Sequence, residues 1–362
     1  MAREPASRPA ASDGRSRPPP TTADRTARRA GGAAGATAGS ATDDDSATDS
    51  DAVAETPLVS DGGRPPLLDD RFGEVAERTA ATEGLLLGLD FDGTLAPIEA
   101  DPDTPALSSA HRAALEALND RPGVAVAVVS GRALADLRSR VAVEGVVYAG
   151  NHGLELSRNG RTAIHPIAAK RCRAVDRVCS ALEERFAATR DAGGGADGSA
   201  NGGVEDSVDA GNGNGEAGIG GVEIENKTLT ATVHYRHAPE RGSDVRRAVA
   251  EAVEHVAGDP LRVSEGKRIV EVGPAVPWDK GRTMGLLADD HPAWLPMYVG
   301  DDTTDETAFR VLSDEGGRHG NGRGIGIHVG PGADTAAAYR VADPAGVERL
   351  LEWLVESDVG EA

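Results

Sequence analysis

The sequence predicts an α/β fold, a doubly wound and mainly parallel sheet with a smaller α/β unit inserted into it. Short apolar runs bounded by turn residues alternate with stretches of helical length, as expected when helices cover both faces of a parallel sheet. In the middle of the chain the pattern changes to four short strands and two longer helices. At 362 residues the chain is long enough to hold two cores.

Five apolar runs supply the strands of the predicted main sheet. They span Leu85–Asp90, Val124–Val129, Val146–Ala149, Met297–Gly300 and Ile325–Val329. Helices are expected at Ser108–Asn119, Ala133–Val141, Asp305–Leu312 and Val347–Val355. Ser108 marks the start of the first helix, because a serine hydroxyl caps the free N–H groups of a first turn.

The inserted unit is predicted from the different pattern between residues 156 and 277. Its strands are expected at Val222–Ile224, Thr228–Tyr235, Leu261–Ser264 and Arg268–Val272, and its helices at Lys170–Thr189 and Ser243–Val256. We expect residues 66–155 and 278–362 to form the core, and residues 156–277 to form an α/β cap over its ligand-binding end.

Two tracts of low complexity flank or interrupt these units. Residues 1–65 contain almost no large apolar side chains, so we expect them to be disordered. Residues 191–220 are rich in Gly and Asn and are predicted to be a flexible insertion. The pair Arg28-Arg29 precedes an Ala/Gly stretch that is too weakly apolar for an export signal, so we expect a cytoplasmic protein.

The composition is strongly acidic. The formal net charge is −21, and only four lysines are present among the 38 basic residues. Such a surface argues against nucleic-acid or anionic-membrane partners, which need basic patches. It favours a halophilic source, with a GC-rich genome as the alternative explanation. No run of 18 or more apolar residues is present, so no membrane span is expected.

The two cysteines, Cys172 and Cys179, are expected to be free thiols. Seven residues on a helix separate them by about 10 Å, which is too far for a disulfide. Free thiols are typical of a reducing cytoplasm.

Asp90 ends the first predicted strand, and Asp92 lies two residues later, before a Gly-Thr turn. Side chains alternate along a strand, so both carboxylates point to the same side at its carboxyl end, where open α/β sheets bind ligands. Because crowded carboxylates repel each other, we expect one to hold a cation while the other can have a raised pKa. The pair predicts a nucleophile beside a proton shuttle, with turn-capping aspartates as the alternative.

Three later motifs offer complementary groups. Ser130-Gly131 closes the second strand, and a hydroxyl with free N–H groups at a helix start can cradle a phosphate. Lys280 opens a helix, where the helix dipole disfavours a lysine unless an anion binds there. Asp301 follows another strand and offers oxygen ligands that suit Mg²⁺, with Asp305 as an auxiliary group.

The run at 90–95, Asp-Phe-Asp-Gly-Thr-Leu, resembles the first motif of the haloacid-dehalogenase-like (HAD) phosphatases. Ser130, Lys280 and Asp301 follow in the order and contexts of that superfamily's other motifs. Within it, the run at 300–306, Gly-Asp-Asp-Thr-Thr-Asp-Glu, resembles trehalose-6-phosphate phosphatases. Stretches at 148–155, 234–236, 265–271 and 343–354 agree, so the resemblance covers about 84–356 without the Gly/Asn-rich insertion.

The resemblance implies a HAD-like Rossmannoid core and an Mg²⁺-dependent hydrolysis of trehalose 6-phosphate through an aspartyl-phosphate. The implied catalytic residues are Asp90, Asp92 and Lys280. The implied phosphate-binding residues are Thr94, Ser130, Gly131 and Lys280, and the implied metal ligands are Asp90, Asp92, Asp301 and Asp305. The implied sugar-binding residues are Arg132, Asn151, His152, Glu155, Arg236, Lys267 and Glu271.

Several alternatives stay open. One is a related phosphatase for another sugar phosphate, such as sucrose 6-phosphate or a glycosyl-phosphoglycerate, and a phosphomutase is a further one. A catalytically silent regulatory module of a sugar-phosphate synthase is the third. The resemblance also implies functional pairing with trehalose-6-phosphate synthase, and we expect a monomer. Gly273 stands where the family usually has Arg, which puts one cap contact in doubt.

Overall fold

The computed structural model describes residues 64–98, 105–193, 220–256, 260–313, 324–332, 334–357 and 359–360. The strands of the described residues are Leu85–Leu89 (β1), Val124–Val129 (β2), Val147–Gly150 (β3), Glu155–Arg158 (β4), Arg161–Ile164 (β5), Glu223–Asn226 (β6), Ala231–His234 (β7), Leu261–Gly266 (β8), Ile269–Pro274 (β9), Leu295–Gly300 (β10), Ile325–Val329 (β11) and Tyr339–Val341 (β12). The α-helices are Phe72–Ala80 (α1), Ser109–Asn119 (α2), Leu134–Val141 (α3), Pro166–Gly193 (α4), Gly242–His255 (α5), Lys280–Asp289 (α6), Glu306–Ser313 (α7) and Pro344–Glu356 (α8).

The larger sheet has eight strands in the order β12-β11-β10-β1-β2-β3-β4-β5. The first six strands in this order are parallel, and β4 and β5 are added antiparallel at one edge. β1 lies at the centre between β10 and β2, and all five of its residues are buried. The largely parallel α/β sheet confirms the predicted fold class.

Helices cover both faces of this sheet because successive residues of its strands are apolar on both sides. On one face, Leu85 and Leu87 of β1 belong to the same buried cluster as Leu115 of α2 and Leu350 of α8. On the other face, Leu86 packs in a separate cluster that includes residues of α6 and α7. Each buried side chain of this size contributes about 1.5–3 kcal/mol. The two layers hold the carboxyl ends of β1, β2 and β10 beside one another.

The smaller sheet has four antiparallel strands in the order β6-β7-β9-β8. Helices α4 and α5 pack on one of its faces, where Val178 and Val249 share a buried cluster with Val233 and Val270. Residues paired across neighbouring strands point to the same side of a sheet. The pairs that join Glu225, Thr232, Glu271 and Ser264 therefore place these four residues on the opposite face, which we call the polar face; His234 shares it.

The predicted strands and helices are confirmed to within a few residues, but the hairpin of β4 and β5 was not predicted. Its strands are short, and every residue of β5 is exposed, so they lack an apolar pattern. Asn159 and Gly160 join them with φ angles of 50° and 72°, the positive values of a type I′ turn. An Asn-Gly pair is the sequence signal that could have revealed this hairpin.

The proposed division into domains remains a prediction. The hairpin continues the large sheet beyond residue 155, to Ile164. The tract predicted to be disordered, 1–65, lies outside the described residues except for its last two, and so does 194–219 of the predicted insertion. Cys172 and Cys179 are free, as predicted. None of the helices in the described residues is long and apolar enough to cross a membrane.

Candidate active site

A cluster of buried charged side chains lies at the carboxyl ends of β1 and β10. Asp90 directly follows β1, Lys280 begins α6, and Asp305 directly precedes α7. The Lys280 ammonium lies 3.0 Å from Asp90 Oδ1 and 2.7 Å from Asp305 Oδ1. The exposed fractions of Asp90, Lys280 and Asp305 are 5%, 3% and 0%, so the ion pairs are shielded from water. With Asp301 these residues form what we call the aspartate–lysine cluster.

Asp279 explains why a lysine can begin α6. Its side chain accepts a hydrogen bond from the Arg282 N–H, which caps the first turn of the helix. Lys280 then extends to the two carboxylates. Burial alone would lower the pKa of Lys280, but Asp305 and Asp90 outweigh this effect and raise it. The lysine is therefore held as a cation beside the predicted nucleophile.

The cluster contains three carboxylates and one cation, and the pKa values of two of the carboxylates are raised. Burial raises the pKa of Asp90 well above its ordinary value, and the neighbouring Asp305 and Asp301 add to the rise against Lys280. Burial and Asp305 also raise the pKa of Asp301, to about 7. A further positive charge beside these carboxylates would lower both pKa values.

The cluster fits a divalent cation. Asp301 Oδ1 is buried and has no hydrogen-bond partner among the described residues, so it is available as a ligand. Oxygen atoms of Asp90, Asp301 and Asp305 lie within 4.8 Å of one another. A few carboxylate oxygens are the ligand set that Mg²⁺ uses when it retains several waters. These contacts support Asp90 and Asp301 as the groups that would hold the ion.

The turn after β1 brings Asp92 and Thr94 to the same edge of the sheet. Gly93 has a φ of 82°, and a Cβ at this position would overlap the Asp301 carboxylate. Glycine therefore permits the turn to pass close to Asp301. Thr94 is fully buried, and its hydroxyl has no hydrogen-bond partner among the described residues. An unpaired buried hydroxyl is costly unless a ligand or water completes it.

Asp92 and Arg132 form a bidentate ion pair. The Arg132 Nε donates to Asp92 Oδ2 at 2.8 Å, and its Nη2 donates to Oδ1 at 2.6 Å. The remaining Nη1 donates to Asp136 at 2.9 Å, so the guanidinium is held from both sides. Burial alone would lower the pKa of Arg132, but Asp92 and Asp136 raise it. Arg132 was predicted to bind sugar, and the structure places it on the predicted acid–base residue.

Ser130 and Gly131 lie at the end of β2, as predicted. Ser130 is buried, and its Oγ accepts the Arg132 N–H at 3.2 Å. The Gly131 carbonyl accepts a hydrogen bond from Lys227 Nζ at 3.2 Å. Lys227 follows β6 of the small sheet, so this bond joins the two sheets near the cluster.

Two adjacent residues after β3 also contact the small sheet. Asn151 is fully buried; its amide donates to Glu155 at 2.7 Å, and its Oδ1 accepts from the Thr230 hydroxyl. His152 Nε2 lies 3.6 Å from Glu271 Oε1 on the polar face. Both residues have positive φ angles, 49° and 58°. Four predicted sugar-binding residues, Asn151, His152, Glu155 and Glu271, are therefore brought together.

Two further sugar-binding residues were predicted on the small sheet, Arg236 and Lys267. Arg236 lies just after β7 and is partly buried. Lys267 is exposed in the turn between β8 and β9 and forms no ion pair with another described residue. On the polar face, His234 Nε2 lies 3.0 Å from Glu225 Oε2, and Lys227 Nζ lies 3.5 Å from the same oxygen. Burial alone would raise the pKa of Glu225, but His234 and Lys227 lower it.

Two residues at the site were missed by sequence reasoning. Lys227 could have been found from the scarcity of lysine in the chain, which makes each one informative. Tyr298 is an aromatic residue inside an apolar strand and carries no such signal. Its buried hydroxyl donates to Asp305 Oδ1 at 2.7 Å.

A largely parallel sheet with this cluster at the carboxyl ends of its strands is the arrangement expected from the resemblance to the HAD-like phosphatases. Among solved structures, the chain is similar to the C-terminal domain of a trehalose-6-phosphate phosphatase from C. albicans, with a TM-score of 0.60 and 21% identity. The match covers 81% of this chain and 99% of the other, and at this identity it shows the fold.

Sequence comparisons identify the family. The trehalose-phosphatase family model matches residues 88–193 and 217–345, so the chain belongs to the trehalose-phosphatase family. Probable trehalose-phosphate phosphatase 4 of Oryza sativa is 31% identical over 297 residues, which cover 79% of this chain and 70% of the relative. Trehalose-phosphate phosphatase of Mycolicibacterium paratuberculosis is 32% identical over 308 residues, which cover 80% and 68%.

Proposed function

We propose that this chain is an Mg²⁺-dependent phosphatase that hydrolyses trehalose 6-phosphate to trehalose and phosphate. The observation that carries the proposal is the buried contact of Lys280 with Asp90, which sets a nucleophilic carboxylate beside a fixed cation. The family and its relatives support trehalose 6-phosphate as the substrate. The unpaired Asp301 Oδ1 supports a metal at the same place.

In this proposal, Asp90 attacks the phosphorus atom and forms an aspartyl-phosphate as the bond to the sugar oxygen breaks. Asp92 donates a proton to that departing oxygen and then accepts one from the water that hydrolyses the intermediate. Lys280, Ser130 and Thr94 bind the phosphoryl oxygens. When bound, Mg²⁺ supplies positive charge that neutralises these oxygens. Arg132 takes up one acceptor site on each Asp92 oxygen, which orients the carboxylate and leaves its other sites for proton transfer.

The polar face of the small sheet is proposed to bind the sugar. A disaccharide presents many hydroxyl groups, and carboxylates, amides and cations hydrogen-bond to them. Glu271, Glu225 and Lys227 lie on or beside this face, and His152 and Asn151 face it from the large sheet. The small sheet would act as a cap that excludes water from the aspartyl-phosphate. Arg236 and Lys267 are proposed to join the sugar site when the ligand is bound.

We further propose that the chain acts as a cytoplasmic monomer alongside a trehalose-6-phosphate synthase that supplies its substrate. Its two thiols are free, which is compatible with a reducing compartment. Size-exclusion chromatography with light scattering would measure the oligomeric state. A stable dimer would contradict the monomer.

Phosphate release from trehalose 6-phosphate, sucrose 6-phosphate and glucose 6-phosphate, with Mg²⁺ and with a chelator, tests the proposed function. We expect trehalose 6-phosphate to be hydrolysed most efficiently and the chelator to stop turnover. D90N should abolish turnover, because an amide cannot replace the carboxylate nucleophile. D244N, which changes an exposed aspartate on α5, is the matched control and should keep wild-type activity.

Each alternative has its own outcome in this assay. Preference for another sugar phosphate would identify a related phosphatase, and appreciable turnover by D90N with Mg²⁺ would remove Asp90 as the nucleophile. A silent regulatory module would release no phosphate from any of these esters. The intact Asp90–Lys280 contact disfavours that module, since a regulatory role does not need it.

A further inference from the structure

Tyr298 is a buried phenol that contacts the aspartate–lysine cluster. It lies in β10 two residues before its end, and its exposed fraction is 0%. The hydroxyl donates to Asp305 Oδ1 at 2.7 Å, and the same oxygen accepts from Lys280 Nζ at 2.7 Å. Lys280 Nζ is in turn 3.0 Å from Asp90 Oδ1. A continuous series of polar contacts therefore runs from the phenol to the proposed nucleophile.

The Asp305 carboxylate has no hydrogen-bonding capacity left. Its Oδ2 accepts the backbone N–H groups of Asp301 and Asp302, each at 3.0 Å, while its Oδ1 accepts Tyr298 and Lys280. A carboxylate offers about four lone-pair sites, and these four donors fill them. A Cβ on Gly300 would overlap this carboxylate, so the glycine permits its close approach. Asp305 is thus held in one position by four protein donors, and its role as a metal ligand stays a prediction.

We propose that Tyr298 is a positioning residue that acts through Asp305 to fix the Lys280 ammonium against Asp90. By filling one lone-pair site of Asp305 Oδ1, the phenol leaves a single direction from which Lys280 can approach that oxygen. Without the phenol, the ammonium is free to turn towards the vacated site and away from Asp90. The inference rests on the proposed roles of Asp90 and Lys280 in phosphoryl transfer.

Y298F tests this inference, because it removes the hydroxyl and keeps the ring that packs edge-on against Phe309 at 5.9 Å. The matched control is Y148F. Tyr148 is a buried tyrosine of the same sheet whose hydroxyl bonds to the Val143 carbonyl at 2.7 Å and accepts its N–H at 3.0 Å. Both variants lose a buried hydroxyl, so we expect both to lower the melting temperature.

Only Y298F should change the chemistry. We expect its kcat to fall about tenfold, which corresponds to about 1.4 kcal/mol of transition-state stabilisation. Its KM should be unchanged, and so should Mg²⁺ binding by titration calorimetry, since the phenol bonds to Asp305, which is not among the residues proposed to bind the sugar, and not to Asp301. Y148F should keep the wild-type kcat.

Two results would overturn the inference. One is a wild-type kcat for Y298F together with the same loss of melting temperature as Y148F, which would make the phenol purely structural. The other is a loss of Mg²⁺ affinity that parallels the loss of kcat, which would show that kcat falls because the metal binds more weakly. The kcat ratio is measured on whichever phosphate ester the wild type hydrolyses. A different preferred ester therefore contradicts only the proposed substrate.

Discussion

The aspartate–lysine cluster of the large sheet and the polar face of the small sheet both contain charged side chains, but they are packed differently. Asp90, Lys280 and Asp305 are at most 5% exposed, and their contacts measure 2.7–3.0 Å. On the polar face, the side chains of Glu271 and Glu225 are 27% and 40% exposed. Their contacts with His152, Lys227 and His234 measure 3.6, 3.5 and 3.0 Å.

This difference separates chemistry from recognition. A buried group is held by every hydrogen bond it makes, because leaving one unmade costs about 1–3 kcal/mol. The ion pairs of the polar face are partly exposed, so solvent screening lowers their contribution towards the value of about 0–1 kcal/mol for exposed pairs, and exchanging them for ligand hydroxyls costs less. The cluster is therefore suited to one fixed geometry, and the polar face to accepting a sugar with many hydroxyl groups. Changes in the cluster should reduce kcat, whereas changes on the polar face should raise KM.

The largest effect is expected from K280M. Removing the cation leaves Asp90 and Asp305 facing each other without compensation, and the transferring phosphoryl group loses its fixed positive charge. We expect kcat to fall about a thousandfold, the scale of losing one preorganised stabilising group. Steady-state phosphate release measures it, with K170M at an exposed lysine as the control. If K280M raised KM but kept the wild-type kcat, the assignment of chemistry to the cluster and of recognition to the polar face would be wrong.

The sequence predicts the cluster much better than the polar face, and the reason is physical. Asp90, Ser130 and Asp301 each follow an apolar strand, and parallel strands in one sheet bring their carboxyl ends together. Strand pattern and motif thus locate these residues without knowledge of side-chain contacts. The ion pair of Arg132 with Asp92 depends on rotamers, and the bond of Tyr298 to Asp305 crosses from a strand to a helix start. Neither contact produces a periodic pattern in the sequence from which it could be predicted.

The same limit applies to the fold. β1 and β2 are apolar runs that were predicted almost to the residue. The exposed strand β5 has no buried face to impose a pattern, and β12 has only three residues. Helix α1 precedes the first motif and was not predicted either. In the large sheet, sequence reasoning thus recovers the strands that are buried on both faces and loses β12 at one edge and the hairpin of β4 and β5 at the other.

A smaller effect is expected from E271Q, which tests the polar face. Glutamine keeps the size of the side chain but loses the negative charge that pairs with His152 and that we propose strengthens hydrogen bonds from sugar hydroxyls. We expect KM for trehalose 6-phosphate to rise about tenfold with kcat nearly unchanged, which corresponds to about 1.4 kcal/mol of lost binding. E265Q is the matched control, since Glu265 pairs with Val270 and so lies on the other face of the same sheet. A fall in kcat without a rise in KM would place Glu271 with the chemistry instead.

The smallest expected effect is the contribution of the Glu271 charge to the free energy of unfolding, and how it depends on pH. Burial alone would raise the pKa of Glu271, but His152 and Lys227 outweigh it and lower the pKa from 4.5 to about 2. A carboxylate with a lowered folded-state pKa stabilises the protein above its unfolded-state pKa and loses that contribution as the pH falls through the folded-state value. We therefore expect wild type to exceed E271Q in free energy of unfolding by about 1 kcal/mol at neutral pH, since partial exposure screens the pair. Denaturant unfolding between about pH 6 and pH 2 should show this difference disappear as the pH falls from 4.5 towards 2. A difference that stayed constant over that range would show that the loss in E271Q comes from packing and not from the charge of Glu271.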